Sequence, residues 1–277
     1  MTLRKAAASI AFRVAVSVVG LGAAACSGAR PALPPAPLKP LRAASLDEVL
    51  AAYDAYSESG TTLSASGHFD VRDRRTGKGR TLGVRLVAAR GGRLYLKGTV
   101  SVITALEVVA DGTRFWFQVP SKKTVWTGAA RGEAGDAGTG DAPYQAIRPA
   151  DVTSALLPEP LAPTAGETVL LEGDREAFTL TLASASGGRG VARRRVSLDR
   201  DTLQPVRLRR YDERGEIDTD VALSAWTGGQ PHQVDIRRPV QGYEASFRFD
   251  KVERNVPVPD RAFVPRLPEG YAVLEVR

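Results

Sequence analysis

Residues Arg80–Trp126 read RTLGVRLVAARGGRLYLKGTVSVITALEVVADGTRFWFQVPSKKTVW. Apolar side chains recur at every second position: Leu82, Val84 and Leu86, then Leu94 and Leu96, then Leu106 and Val108, then Phe115, Phe117 and Val119. A period of two puts each set on one face of a strand. Gly91-Gly92 and Asp111-Gly112 are pairs that suit tight hairpin turns. The other face carries Arg85, Arg93, Lys97, Glu107 and Gln118. The stretch is therefore an antiparallel meander with one apolar face that something must cover. Within it, Gly98 to Ile103 is apolar but lies between strands; it reads as a strand start or an exposed apolar loop, and a strand or a loop turned into the core is the favoured reading.

Working towards the N-terminus, Leu63, Ala65, Gly67, Phe69 and Val71 alternate and give a strand over 61–72, followed by a charged hairpin loop over 72–79. Before it, Ser45-Leu46-Asp47-Glu48 is a capping box. Leu46, Val49, Leu50, Tyr53 and Tyr56 follow at helical spacing, so 46–57 is an amphipathic helix that ends before Gly60. Residues 27–44 hold five prolines and favour an extended tether. The folded domain spans 45–277.

Working towards the C-terminus, residues 128–143 are Gly, Ala and acid, the composition of a mobile surface loop. Arg148 to Pro158 gives a second short helix, with Pro149 at its first position and Val152, Ala155 and Leu156 on its apolar face. The remainder alternates again through Leu180, Val206, Leu208, Phe247 and Phe249, with turns at Gly173-Asp174, Gly187-Gly188, Asp199–Asp201, Asp212–Gly215, Gly228-Gly229 and Pro239–Gly242. About twelve strands and two or three helices result. A mainly β (α+β) fold follows: one strongly curved antiparallel sheet with the helices on its concave side.

The chain has 277 residues, 43% of them hydrophobic, enough for one large core. Residues 1–25 have the form of a secretory signal: Arg4 and Lys5, an apolar run from Val14 to Leu21, then Gly22-Ala23-Ala24-Ala25. The formal charge is +7; removing Arg4, Lys5 and Arg13, with no acid before Cys26, leaves +4. That mild excess, without basic-aromatic clustering, argues against nucleic acid. Cys26 is the only cysteine, so no internal disulfide exists. Its setting resembles the lipobox of bacterial lipoproteins, with Ala23 where the lipobox carries Leu. The resemblance implies lipidation of Cys26 by diacylglycerol and an acyl chain such as palmitate, and Ser27 behind it implies the outer membrane.

Chemistry is sparse. His68 and His232 are the only histidines and fall on different strands. No GxSxG, P-loop or GxGxxG occurs, and one cysteine gives no zinc spacing. Asp199, Asp201, Asp212 and Asp218 read as turn residues. Arg193-Arg194-Arg195 lies on a strand, so its residues point to alternate faces; a solvated outer face with one residue at the rim is favoured over an anion site. A non-enzyme without cofactor or metal is expected.

The order of parts resembles the LolA/LolB-like superfamily of envelope lipoprotein carriers. The segments that carry it are Arg93–Gly98, Leu106–Gly112 with Phe115-Trp116, the hairpin LDRDTLQPVRLRRYDERG ending at Gly215, and Phe263-Val264-Pro265 with Pro268-Glu269-Gly270. The resemblance implies an incomplete β-barrel whose concavity takes acyl chains or lipoproteins; lipidation places it nearer the membrane-anchored LolB. Its lining would be Leu86, Leu94, Leu96, Leu106, Val108, Phe115, Phe117, Leu180, Val206, Leu208, Phe247 and Phe249. Leu46, Val49, Leu50, Tyr53, Val152 and Leu156 would form the lid. An apolar concavity that is poorly filled binds apolar ligands. One that is packed solid suits a structural or sensory lipoprotein that binds an envelope protein partner, and the sequence leaves both open.

Overall fold

The structure, a computed structural model, describes residues 41–74, 76–130, 148–186 and 189–276. The signal over 1–25, Cys26, the tether up to residue 40 and the loop residues 131–143 lie outside the described residues.

Helix α1 spans Leu46–Glu58. Its N-cap Ser45 accepts a hydrogen bond from the Glu48 backbone N–H at 3.2 Å, as the capping box requires. The Glu48 carboxylate engages Arg42 at 2.6 Å. A meander of six strands follows: β1 (Thr62–Asp73), β2 (Gly79–Ala89), β3 (Arg93–Val100), β4 (Ile103–Asp111), β5 (Arg114–Val119) and β6 (Thr124–Ala129). Helix α2 (Pro149–Leu156) starts on Pro149 as expected. A second meander runs through β7 (Glu167–Gly173), β8 (Ala177–Ser186), β9 (Arg189–Asp199), β10 (Pro205–Tyr211), β11 (Ile217–Thr227), β12 (Gln230–Arg238) and β13 (Tyr243–Arg254). The short strand β14 (Ala272–Glu275) closes the order.

All 14 strands form one curved sheet in the order β14-β6-β5-β4-β3-β2-β1-β13-β12-β11-β10-β9-β8-β7, and the end strands β14 and β7 do not pair. The sheet is thus an open barrel. Its two meanders join where β1 pairs with β13. The chain leaves the first meander near one edge and enters the second at the other. Helix α2, between the two meanders in sequence, packs on β2, β3, β4 and β12.

Fourteen strands replace the twelve expected, and β14 was not foreseen. It lacks alternation, is exposed throughout, and adds to β6 as the sheet's parallel pair. Gly67 allows the sheet to bend: a Cβ there would stand 2.1 Å from the Arg248 carbonyl oxygen, at the register shift between Ser66 and Gly67. Gly112, at φ 100, makes a similar close approach to the Gly91 carbonyl in the neighbouring turn.

Gly98–Ile103 does not turn into the core, the favoured reading; the exposed alternative holds at its tip, between the end of β3 and the start of β4. Val100 pairs with Ile103 and closes the hairpin over Ser101-Val102, with Ser101 at φ 54. Val102 is 94% exposed and Ile103 72%. A two-residue turn cannot fold its side chains back onto the sheet, so the segment is an exposed apolar tip.

Candidate functional site

The inner face of the sheet carries two apolar clusters, each under one helix. Beneath α2 lie Phe69, Leu86, Leu94, Leu96, Leu106, Val108, Phe117, Phe247 and Phe249, packed with Val152, Ala155, Leu156 and Leu157. Phe69 and Phe247 stack with ring centroids 4.6 Å apart. Beneath α1 lie Leu180, Leu182, Val196 and Leu198, packed with Val49 and Tyr53 and flanked by Leu46 and Leu50. Leu208 touches both clusters, and Phe115 lies partly buried beside the first. Val206 is half-buried at the register shift between Pro205 and Arg207 and belongs to neither. The residues expected to line one concavity thus fall into two groups, because two helices divide the face.

Under α2 the space left over is small, about 30 Å³ between Phe69, Leu94, Leu96, Leu106, Val108, Phe117, Phe247 and the helix residues Pro149 and Val152. Val152 and Leu156 fill the seam. Deletion of that plug would expose a continuous aromatic and aliphatic strip.

Ion pairs add to this apolar packing in holding α2 down. Asp151, in its first turn, has no exposed surface. Its Oδ1 accepts from Arg210 Nη2 at 2.7 Å and from Thr219 Oγ1 at 3.4 Å. Its Oδ2 lies 3.4 Å from Nε of Arg238, a side chain only 1% exposed. Asp218 accepts from Arg210 at 2.6 Å and Arg238 at 2.9 Å, and stands 3.7 Å from Arg148, the N-cap of α2. Burial works to raise the Asp218 pKa, but the hydrogen bonds and charges of Arg210 and Arg238 outweigh it and hold it at about 2. Burial likewise works against the Arg210 cation, yet Asp151 and Asp218 raise its pKa on balance. The helix N-terminus adds a favourable field for Asp151.

This cluster was missed in the sequence, and the Asp218 reading is corrected: it is a β11 residue whose carboxylate is shared among arginines. Asp199 and Asp212 do cap turns, accepting from Thr202 N and Glu216 N, each at 2.8 Å. His68 is exposed, and His232 Nδ1 lies 2.9 Å from the Phe249 carbonyl. Among the described residues no group of three His, Cys, Asp or Glu could hold a metal. Likewise, no helix there is long and apolar enough to cross a membrane.

The far ends of both helices are tied to the sheet by Arg254. It donates to the carbonyls of Tyr56 at 3.2 Å and Leu156 at 3.4 Å, and lies over the Tyr56 ring. Tyr53 donates to the Glu159 carbonyl at 3.0 Å, and Asp54 accepts from the Leu161 N–H at 3.1 Å, so the chain leaving α2 is moored to α1. Between the helices lies a cleft of about 570 Å³.

The chain is similar in shape to LolA-superfamily proteins of known structure. One, from Nitrosomonas europaea, shares 9% identity at a TM-score of 0.49, covering 80% of this chain and 99% of that one. A DUF1329 family protein from Desulfovibrio piger shares 15% identity at a TM-score of 0.48, covering 78% and 97%. An outer membrane lipoprotein-sorting protein domain from Vibrio parahaemolyticus shares 13% at 0.46, covering 77% and 95%. No protein-family model and no curated protein matches the chain.

Proposed function

We propose that this protein is a non-enzymatic, membrane-anchored envelope lipoprotein that buries lipid acyl chains between α2 and the inner face of its open barrel, in lipid or lipoprotein transport to the outer membrane. Residues 1–25 are the signal, Cys26 the lipidated anchor, 26–44 the tether and 45–277 the binding domain facing the periplasm. The observation that carries the reading is the apolar strip beneath α2. Its cover is a helix of 8 residues, fixed at its start by ion pairs and laid on the strip through Val152, Ala155 and Leu156. Displacing it would open a dry surface running from Phe117 to Phe249, suited to an alkyl chain. The exposed tip of Val100, Val102 and Ile103 supplies a second apolar contact with a bilayer.

Titration of the purified chain with a fluorescent fatty acid tests the reading. Saturable binding in the micromolar range is expected. Failure to bind at those concentrations would overturn it.

A second reading is favoured by the small volume under α2, about 30 Å³. A face packed that closely suits a lipoprotein that binds an envelope protein partner and takes up no lipid. The same titration separates the two.

A further inference from the structure

The cleft between α1 and α2 is of a different chemistry from the seam. It is lined by six arginines against three acids, Asp151, Glu159 and Asp218. Arg148 and Arg210 are engaged with Asp151 and Asp218. Arg195 and Arg209 pair with Glu172 and Asp220 outside the lining. Arg90 and Arg194 differ. Arg194 donates to the carbonyls of Pro160 at 2.9 Å and Glu159 at 2.6 Å, and to the Tyr53 hydroxyl at 3.2 Å. Arg90 donates to the carbonyls of Gly60, at 3.0 Å, and Ser57. Among the described residues no carboxylate lies within ion-pair distance of either.

A carbonyl fixes a guanidinium without neutralising it. Tyr53, whose pKa burial pushes up to about 12, contributes no charge at neutral pH. Arg194 is held at the Tyr53 side chain and Arg90 at the C-terminal end of α1; both are half-buried and both line the cleft. Guanidiniums prepared in this way suit a group with several charged oxygens.

We infer that this cleft binds a phosphate oxyanion, with Arg194 and Arg90 as its principal contacts. Helix α2 is the wall common to both sites: Asp151, Thr153, Ser154 and Leu157 face the cleft, while Pro149 and Val152 face the seam. A phosphate in the cleft is thus one helix away from the apolar strip, which is the arrangement of a phospholipid. That link to a lipid rests on the acyl-chain reading above; the anion site itself does not. Free phosphate and a lipid headgroup share the chemistry.

The test compares two probes at near-physiological salt: inorganic phosphate, read by calorimetry, and vesicles of phosphatidylglycerol against phosphatidylcholine of the same chains, read by co-sedimentation. Phosphatidylglycerol should be preferred, and Arg194→Gln should cut that preference about tenfold, the loss of one charge-assisted contact. Because Arg194 also holds Tyr53, Ser154→Asp is the second variant; it keeps every arginine and sets a repelling carboxylate in the cleft. Arg214→Gln, in an exposed turn, controls for overall charge and should change nothing. Competition by inorganic phosphate identifies free phosphate as a sufficient ligand; headgroup preference without competition assigns the site to the lipid. Equal binding of both lipids, no phosphate heat and silent variants would overturn the site and leave acyl-chain binding intact. Arg194-dependent phosphate binding without retention of any lipid or fatty acid would uphold the site and overturn the acyl-chain reading.

Discussion

The carboxylate of Asp151, itself fully out of water, sits 2.7 Å from the guanidinium of Arg210 and joins the first turn of α2 to the end of β10. The same carboxylate meets Arg238 of β12 at 3.4 Å, so one side chain ties the covering helix to two strands. The junction acts together with the packing of Val152, Ala155 and Leu156 to seat the helix on the apolar seam.

Asp151→Ala leaves Arg210 and Arg238 short of a counter-charge in a buried site. Removing one partner of a buried pair costs about 3–5 kcal/mol. Urea melts should show a loss of that size, and the variant should take up a fluorescent fatty acid faster than the parent because α2 is released.

Asp218 gives an acid-dependent term. Its folded pKa of about 2 lies below the unfolded value of about 3.9, so its contribution is present above pH ~4 and is lost as the pH falls towards ~2. The stability difference between the parent and Asp218→Asn should therefore be constant near neutrality and shrink across that window. Melts at a series of acid pH values check it; a difference that grows on acidification would refute the assignment.

Val49 has no exposed surface, whereas Leu50, one residue on, is only partly covered. Val49→Ala should cost about 2–3 kcal/mol, from lost burial plus a cavity. Leu50→Ala, the larger truncation, should cost about 1 kcal/mol or less. Chemical denaturation of the two variants would reveal the asymmetry.

Val102 at the β3–β4 tip is 94% exposed, so Val102→Asp should leave stability within about 0.5 kcal/mol. It should reduce retention on neutral vesicles severalfold, because a charge replaces the apolar contact. Unchanged retention would remove the tip from any membrane role.

Cys26→Ala should abolish lipidation, and the protein should appear in the soluble periplasmic fraction or remain as an inner-membrane precursor. Persistence in the outer-membrane fraction would remove Cys26 as the anchor.

The sequence by itself determined the local structure. Alternation over 80–126 located the strands, Gly91-Gly92 and Asp111-Gly112 their turns, and Ser45 and Pro149 the helix starts, because these depend on residues a few positions apart. It also separated the inner from the outer face, and most of the residues expected to line the concavity are buried there. Long-range order was decided only by the tertiary structure. The pairing of β1 with β13 joins the two meanders into one sheet, and the two helices packed on it split the lining into two clusters. Asp151 and Arg210 are 59 residues apart, and neither has a local signal that marks it as half of a buried pair. The Arg193–Arg195 triplet was legible as strand residues on alternate faces; that Arg194 meets carbonyls depends on where the chain leaving α2 comes to rest. The tip at Val102 was ambiguous for a related reason: an apolar run says that side chains avoid water where they can, and only the fold decides whether anything lies above them.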